Sequence, residues 1–224
     1  MTYRRTRAIF IKELHHITRD GRSLALALAM PVMMLLLIAQ FVDRSLSLLI
    51  PLRVAHMPGI EAAATSGLII SVAAVGAAVS ASLAARLSQA MPVGRLLLVQ
   101  LLVGAPLCMA MALANGWVTL LVLRTAVALC LGGTLTLAYS LGGMIVPGES
   151  RGAAFGWLAL GVQIGTAASP LMTGALAAGS LSSAFVMDAA LALVAAAVLV
   201  FGARDLLSRS EGYGPAARGP RAAG

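Results

Sequence analysis

Residues 24–54 read LALALAMPVMMLLLIAQFVDRSLSLLIPLRV. The run is apolar almost throughout, yet Asp43 and Arg44 stand side by side within it. In water such a pair would be unremarkable. In hydrocarbon a charged side chain is costly and faces a bundle interior, a water-filled path or the membrane edge. How this run is read therefore decides the class of the whole chain.

The composition around it answers the first question. Of 224 residues, 60% are hydrophobic and only 11% are charged. A soluble domain is closer to half apolar and a quarter charged. So much Leu, Ala and Val cannot be buried in one small core under a polar surface, which makes the chain an all-α integral membrane protein. Only 4% of the residues are aromatic. Small residues dominate instead, and these let helices approach closely in lipid.

A helix needs about 20 apolar residues to cross the hydrocarbon core. Six runs meet this length, at about 30–54, 62–85, 95–114, 117–145, 153–177 and 184–203. Turn chemistry separates them: His56-Met57-Pro58-Gly59, Met91-Pro92-Val93-Gly94, Asn115-Gly116, Pro147-Gly148-Glu149-Ser150 and Gly179-Ser180. None alternates strictly, which excludes a β-barrel. The transmembrane domain is expected over 24–204. Before it, Phe10, Leu14 and Ile17 share a face flanked by Arg7, Lys12 and Arg19, an amphipathic interfacial helix over 1–23. After it, the Gly-, Pro-, Ala- and Arg-rich residues 205–224 read as a disordered tail.

The net charge of +8 is distributed as membrane flanks, not as a groove for nucleic acid. Six of the sixteen basic residues precede Leu24 and four follow Phe201. With six spans, thirteen basic residues fall on the side of the termini, leaving Arg44, Arg53 and Arg124. The positive-inside rule then places both termini in the cytoplasm of a multi-pass inner (plasma) membrane protein.

Four motifs in order over about 39–204 resemble one six-helix half of a major facilitator superfamily transporter, most like the C-terminal half of a drug-efflux member. The loop SLAARLSQAMPVGRLLL carries Leu83, Arg86, Gly94 and Arg95 of the family's Gly/Asp/Gly-Arg loop, without its Asp and first Gly. In LRTAVALCLGG, Arg124 precedes Gly132 and Gly133. The loop VPGESRGAAFG carries Glu149 and Arg151, and GVQIGTAASPLMTGAL carries Gly161, Gly165, Pro170 and Gly174 near the efflux signature. The first 38 residues instead resemble the start of an ABC-2 type transporter permease, in RAIFIKELHHITRDGRSLALALAMPVMMLLLI. The chain thus reads as a junction of two patterns within its first span.

A continuous helix over 24–54 would be about 46 Å long, more than the bilayer core needs. In the transporter register the span is roughly 34–54 and Asp43-Arg44 lies near mid-membrane. In the permease register it is roughly 24–42 and the pair lies at the outer edge. The later motifs favour the first. Adjacent residues point about 100° apart on a helix, so Asp43 and Arg44 each need a separate partner or water. They either pair quietly in the bundle or handle substrate or protons.

Arg124 has two readings, a buried coupling charge or a side chain snorkelling to the outer interface. Asp188 is expected to be a helix N-terminal carboxylate favoured by the macrodipole. Gly161, Gly165, Gly174 and Pro170 are expected to pack and bend the fifth helix. Cys108 and Cys130 read as small core residues, and His15, His16 and His56 have no ligand-like spacing. Gly148-Glu149-Ser150-Arg151-Gly152 has the spacing of a nucleophile elbow but lacks the strand before it and a later His. No P-loop and no metal cluster is present in the sequence, so neither an enzyme, a cofactor nor a metal is expected.

The resemblance implies a secondary transporter moving a small amphipathic compound by alternating access, coupled to protons. Its partners would be the lipid bilayer, the substrate and a second six-helix half, from another copy or another chain. The alternatives are an ABC-2-like permease subunit and a truncated or fused product without transport activity.

Overall fold

The computed structural model describes residues 21–146 and 151–202, and every element among them is helical. The expected interfacial helix up to residue 20, Glu149 and the tail over 205–224 lie outside the described residues.

The first helix, α1, runs unbroken from Gly21 to Ala55 and carries Pro31 and Pro51 within it. The junction near residue 38 leaves no break in the helix. Its 35 residues span about 52 Å at 1.5 Å each. The apolar portion, Met30–Ala55, sets Asp43 and Arg44 midway along its length. The helix ends where His56 Nδ1–H donates to the Leu52 carbonyl (2.7 Å) and Gly59 turns the chain with φ +73°, a conformation costly for other residues.

The remaining elements follow as α2 (Ala62–Leu87), α3 (Val93–Ala112), α4 (Trp117–Leu131), α5 (Thr134–Ile145), α6 (Arg151–Gly179) and α7 (Leu181–Ala197). A π-helical turn, Val198–Gly202, extends α7. Five stretches are long and apolar enough to cross a membrane: Met30–Ala55, Ala62–Leu87, Val93–Ala112, Trp117–Met144 and Leu181–Phe201. The sixth, α6, has 29 residues but is diluted by Gly, Ser and Thr. The fourth run, read from sequence as one helix over 117–145, is instead broken at Gly132-Gly133 into α4 and α5.

The helices invert the soluble pattern. On α2 the inward positions are Ser66, Ile69, Ala73, Gly76, Ser80 and Ala84, mostly small. The outward face carries Leu68, Val72, Val75, Val79 and Leu83. Lipid offers no reason to hide aliphatic side chains, so close van der Waals packing of small residues holds the bundle instead. The principal pairings are α1 with α6, α3 with α7, and α2 with α4. At the end of α3, Arg53 Nη2–H donates to the carbonyls of Ala114 (3.0 Å) and Ala112 (3.5 Å), satisfying groups a helix end leaves open.

The α1–α6 seam has a constant register. Gly161 lies on Met33 and Gly165 on Leu37, while Ser169 Oγ–H donates to the Phe41 carbonyl and Thr173 Oγ1–H to Ser45 Oγ. Every pair is offset by 128 residues, so the helices run parallel. Two turns of glycine give close approach, and the next two turns replace it with hydroxyl hydrogen bonds. Pro170 and Gly174, expected in the same interface, are exposed, and nothing lies within 4 Å of a Cβ at Gly174. The four-residue period explains this: 161, 165, 169 and 173 share one face, while 170 and 174 are each rotated about 100° from it.

Candidate functional site at the centre of the bundle

Three consecutive residues of α1 point in three directions. Asp43 faces α4, where Arg124 Nη2–H donates to its Oδ1 at 3.0 Å. Ser45 faces the opposite side, where its hydroxyl donates to Asp188 Oδ2 of α7 at 2.7 Å. Arg44, between them, is exposed and has no ion-pair partner among the described residues. Successive helical residues step about 100°, which splits this polar triplet among different neighbours.

The pair is asymmetric. The Arg124 side chain is 7% exposed and that of Asp43 53%. The Arg124 side chain stays inside the bundle on a carboxylate instead of snorkelling to the interface. Its Nε–H has no hydrogen-bond partner among the described residues. Asp43 Oδ1 is a charge-assisted acceptor, of the kind that a desolvated guanidinium needs.

Asp188 departs from expectation. It is the eighth residue of α7, beyond the first turn where a macrodipole acts. It is fully buried, and its role is set by side-chain contacts. Thr173 donates to Ser45 at 2.9 Å and Ser45 in turn donates its hydroxyl hydrogen bond to Asp188, making a chain across α6, α1 and α7. Asp188 Oδ1 has no partner among the described residues.

Asp43 and Arg124 line a cavity of about 150 Å³. Its walls come from Ile38 and Val42 of α1, Leu101 of α3, Val127 of α4, Thr134 of α5 and Ala192 of α7. One wall is the break in the fourth span. Gly133 N–H, freed from the helix, donates to Ser80 Oγ at 3.0 Å, and Thr134 Oγ1–H donates to Gln100 Oε1 at 3.3 Å. A Cβ on Gly132 would lie 2.6 Å from Ala77 Cα, so only glycine allows α2 this close. Irregular backbone at membrane depth is tolerated where protein covers it or a cavity lines it, as here.

The other sequence-predicted positions lie at the ends. Arg86 is exposed at the close of α2, Gly94 is buried and Arg95 exposed at the start of α3, and Arg151 Nε–H donates to the Val146 carbonyl at 3.5 Å. They are not brought to the cavity. Cys108 is buried and Cys130 Sγ–H donates to the Gln100 carbonyl; both are free thiols. Among the described residues no group of His, Cys, Asp and Glu could hold a metal ion. Ser45, Ser80, Gln100, Ser169 and Thr173 were not singled out from sequence. For Ser80 and Gln100 the signal was a lone polar residue in an apolar stretch, for Ser45 its place beside Asp43-Arg44, and for Ser169 and Thr173 the four-residue spacing from Gly161 and Gly165.

Compared with protein families, residues 30–222 match the Major Facilitator Superfamily. A search of curated proteins gave no match.

Proposed function

Since the chain belongs to the major facilitator superfamily, a family of secondary transporters, we propose that it is an efflux-type half-transporter coupled to protons. It moves a small amphipathic compound by alternating access across the inner (plasma) membrane, with both termini cytoplasmic. The observation that carries this reading is the Asp43–Arg124 pair on the wall of the central cavity. A buried guanidinium is held by a carboxylate that is half open to the cavity. Protonating Asp43 would release Arg124, and binding of a cationic or amphipathic compound would compete for the same carboxylate. An ionisable residue at membrane depth is a functional site by default.

Secondary transporters place the substrate between two repeats near the midplane. The cavity here is small for that purpose, since ligand pockets are commonly about 300–1,000 Å³. One six-helix wall therefore supplies the coupling pair and part of the site, and a second half, from another copy or another chain, supplies the rest. Exposed Arg44 at the midpoint of α1 supports a partner on that face.

The test is reconstitution of the full chain into proteoliposomes with an imposed pH gradient and a fluorescent lipophilic cation. The reading expects gradient-driven movement of the dye that Asp43→Asn abolishes while the variant stays folded. Dye movement indifferent to the gradient, or retained in Asp43→Asn, would count against proton coupling through this pair.

A further inference from the structure

Asp188 takes no part in the coupling pair, yet it is the most enclosed acid among the described residues. Oδ2 accepts from Ser45, itself held by Thr173, so that side of the carboxyl is fixed. Oδ1 is unpartnered. Arg124 has the complementary deficit, an unpartnered Nε–H, while Nη2–H serves Asp43. A buried donor and a buried acceptor left unmade are each costly. The two residues interact electrostatically without touching. Ala192, one turn beyond Asp188, and Leu46, next to Ser45, both line the cavity into which Arg124 opens.

The charges do not balance: one guanidinium stands among two carboxyls. A metal cation is a poor solution, because hard cations gather about six oxygens or more. Here one carboxyl oxygen is open, and the hydroxyls of Ser45 and Thr173 are already spent on one another and on Oδ2. A proton needs only one acceptor.

We propose that Asp188 is a second proton-binding carboxyl of the Arg124 site: Arg124 exchanges between Asp43 and Asp188, and the carboxyl it leaves takes the proton. This inference rests on the proton-coupled reading above and deepens it. Arg124 is on Asp43 in this structure, and in this scheme Asp188 is then the protonated carboxyl. When the guanidinium crosses, Asp188 gives up its proton and Asp43 binds one, so the sum of charge in the centre is unchanged. Asp43 is half open to the cavity and Asp188 is sealed. The exchange therefore moves the protonated position from a closed place to an open one with no net charge buried at any step. The other groups around Asp188 are few. From α1 comes Ser45, from α3 the Cys108 thiol, from α4 Arg124, and behind Ser45 only the uncharged Thr173 of α6.

The test is infrared spectroscopy of the purified full chain in liposomes, labelled with 13C-carboxyl aspartate and titrated with pH. The chain has four aspartates, Asp20, Asp43, Asp188 and Asp205, so the label isolates a short set. At neutral pH the wild type is expected to show an isotope-sensitive protonated-carboxyl band that Asp188→Asn removes. Asp43→Asn, which leaves Asp188 in place, is expected to remove the same band, because Arg124 then transfers to Asp188. Arg124→Gln, which leaves Asp188 without a guanidinium to draw off its proton, is expected to keep the band. Persistence of the band in a folded Asp188→Asn variant would overturn the proposal, and so would an unchanged band in Asp43→Asn. The second arm stands even where Asp188→Asn fails to fold. Because the bands are read without transport, exchange in a protein that moves no dye would sink the transport reading and leave this one.

Discussion

Gly165 lies against Leu37 with no room for a methyl group between them. A Cβ at 165 would collide with the Leu37 carbonyl oxygen and sit 3.2 Å from the Phe41 nitrogen. Backbone cannot yield as a flexible side chain does, so Gly165→Ala must push α6 from α1. Overpacking of this kind costs about 1–3 kcal/mol. Gly174→Ala, on the exposed face with open space around it, is expected to be within about 0.5 kcal/mol of wild type. Thermal unfolding in detergent, run on both variants, checks the contrast. Equal midpoints would mean that the α1–α6 seam is not as tight as described.

What could be read from sequence, and what could not, divides along physical lines. Length and composition set the helical membrane class, because lipid imposes one period and one minimum length on every span. Gly161 and Gly165 stood out because they fall at the glycine spacing of the efflux signature. Their continuation as Ser169 and Thr173 was missed, since the efflux signature drew attention to Pro170 and Gly174 one position later. The break at Gly132-Gly133 was also missed. Two glycines in an apolar run are as compatible with tight packing as with a broken helix, and the partner that stabilises the break, Ser80, comes from another span. Asp188 was misread because its position near a helix start is local information. Its burial against Ser45, 143 residues earlier, is not.

The Ser80 hydroxyl holds the freed Gly133 N–H at 3.0 Å. Ser80→Ala leaves that donor buried without a partner, which costs about 1–3 kcal/mol. Ser82 provides the control two residues on. Its hydroxyl donates to Ala78 on its own exposed helix face, and Ser82→Ala is expected to change stability by no more than about 0.5 kcal/mol. Chemical denaturation of the two variants separates a working polar contact from a surface one. If Ser80→Ala is as stable as Ser82→Ala, the kink does not depend on that hydroxyl.

The coupling between Asp43 and Arg124 is open to a double-mutant cycle. Asp43→Asn takes the carboxylate from a buried guanidinium, which must then draw Asp188 into ionising inside the bundle, and Arg124→Gln leaves a carboxylate that is half exposed and better able to find water. The first single variant is therefore expected to lose more stability than the second. The double variant is expected to be more stable than the two single losses would sum to, with an interaction energy within about 0.5–3 kcal/mol. Strict additivity in the cycle would mean that the 3.0 Å contact contributes nothing.

Arg44 supplies the sharpest prediction about assembly. It sits midway along an apolar helix, exposed, with no ion-pair partner among the described residues. A charge at the centre of a bilayer costs at least about 2.5–3.5 kcal/mol when it has neither partner nor water. A second half packed on this face would remove that cost by offering an acid or a shared aqueous path. A second copy has both parts required, because Asp43 beside Arg44 uses only Oδ1 in its own pair. The full chain is therefore expected to have the mass of two copies by light scattering in detergent. Arg44→Leu is expected to weaken association at least tenfold, equivalent to about 1.4 kcal/mol. A wild-type protein that stays single at every concentration would sink pairing between copies and point to another chain as the missing half.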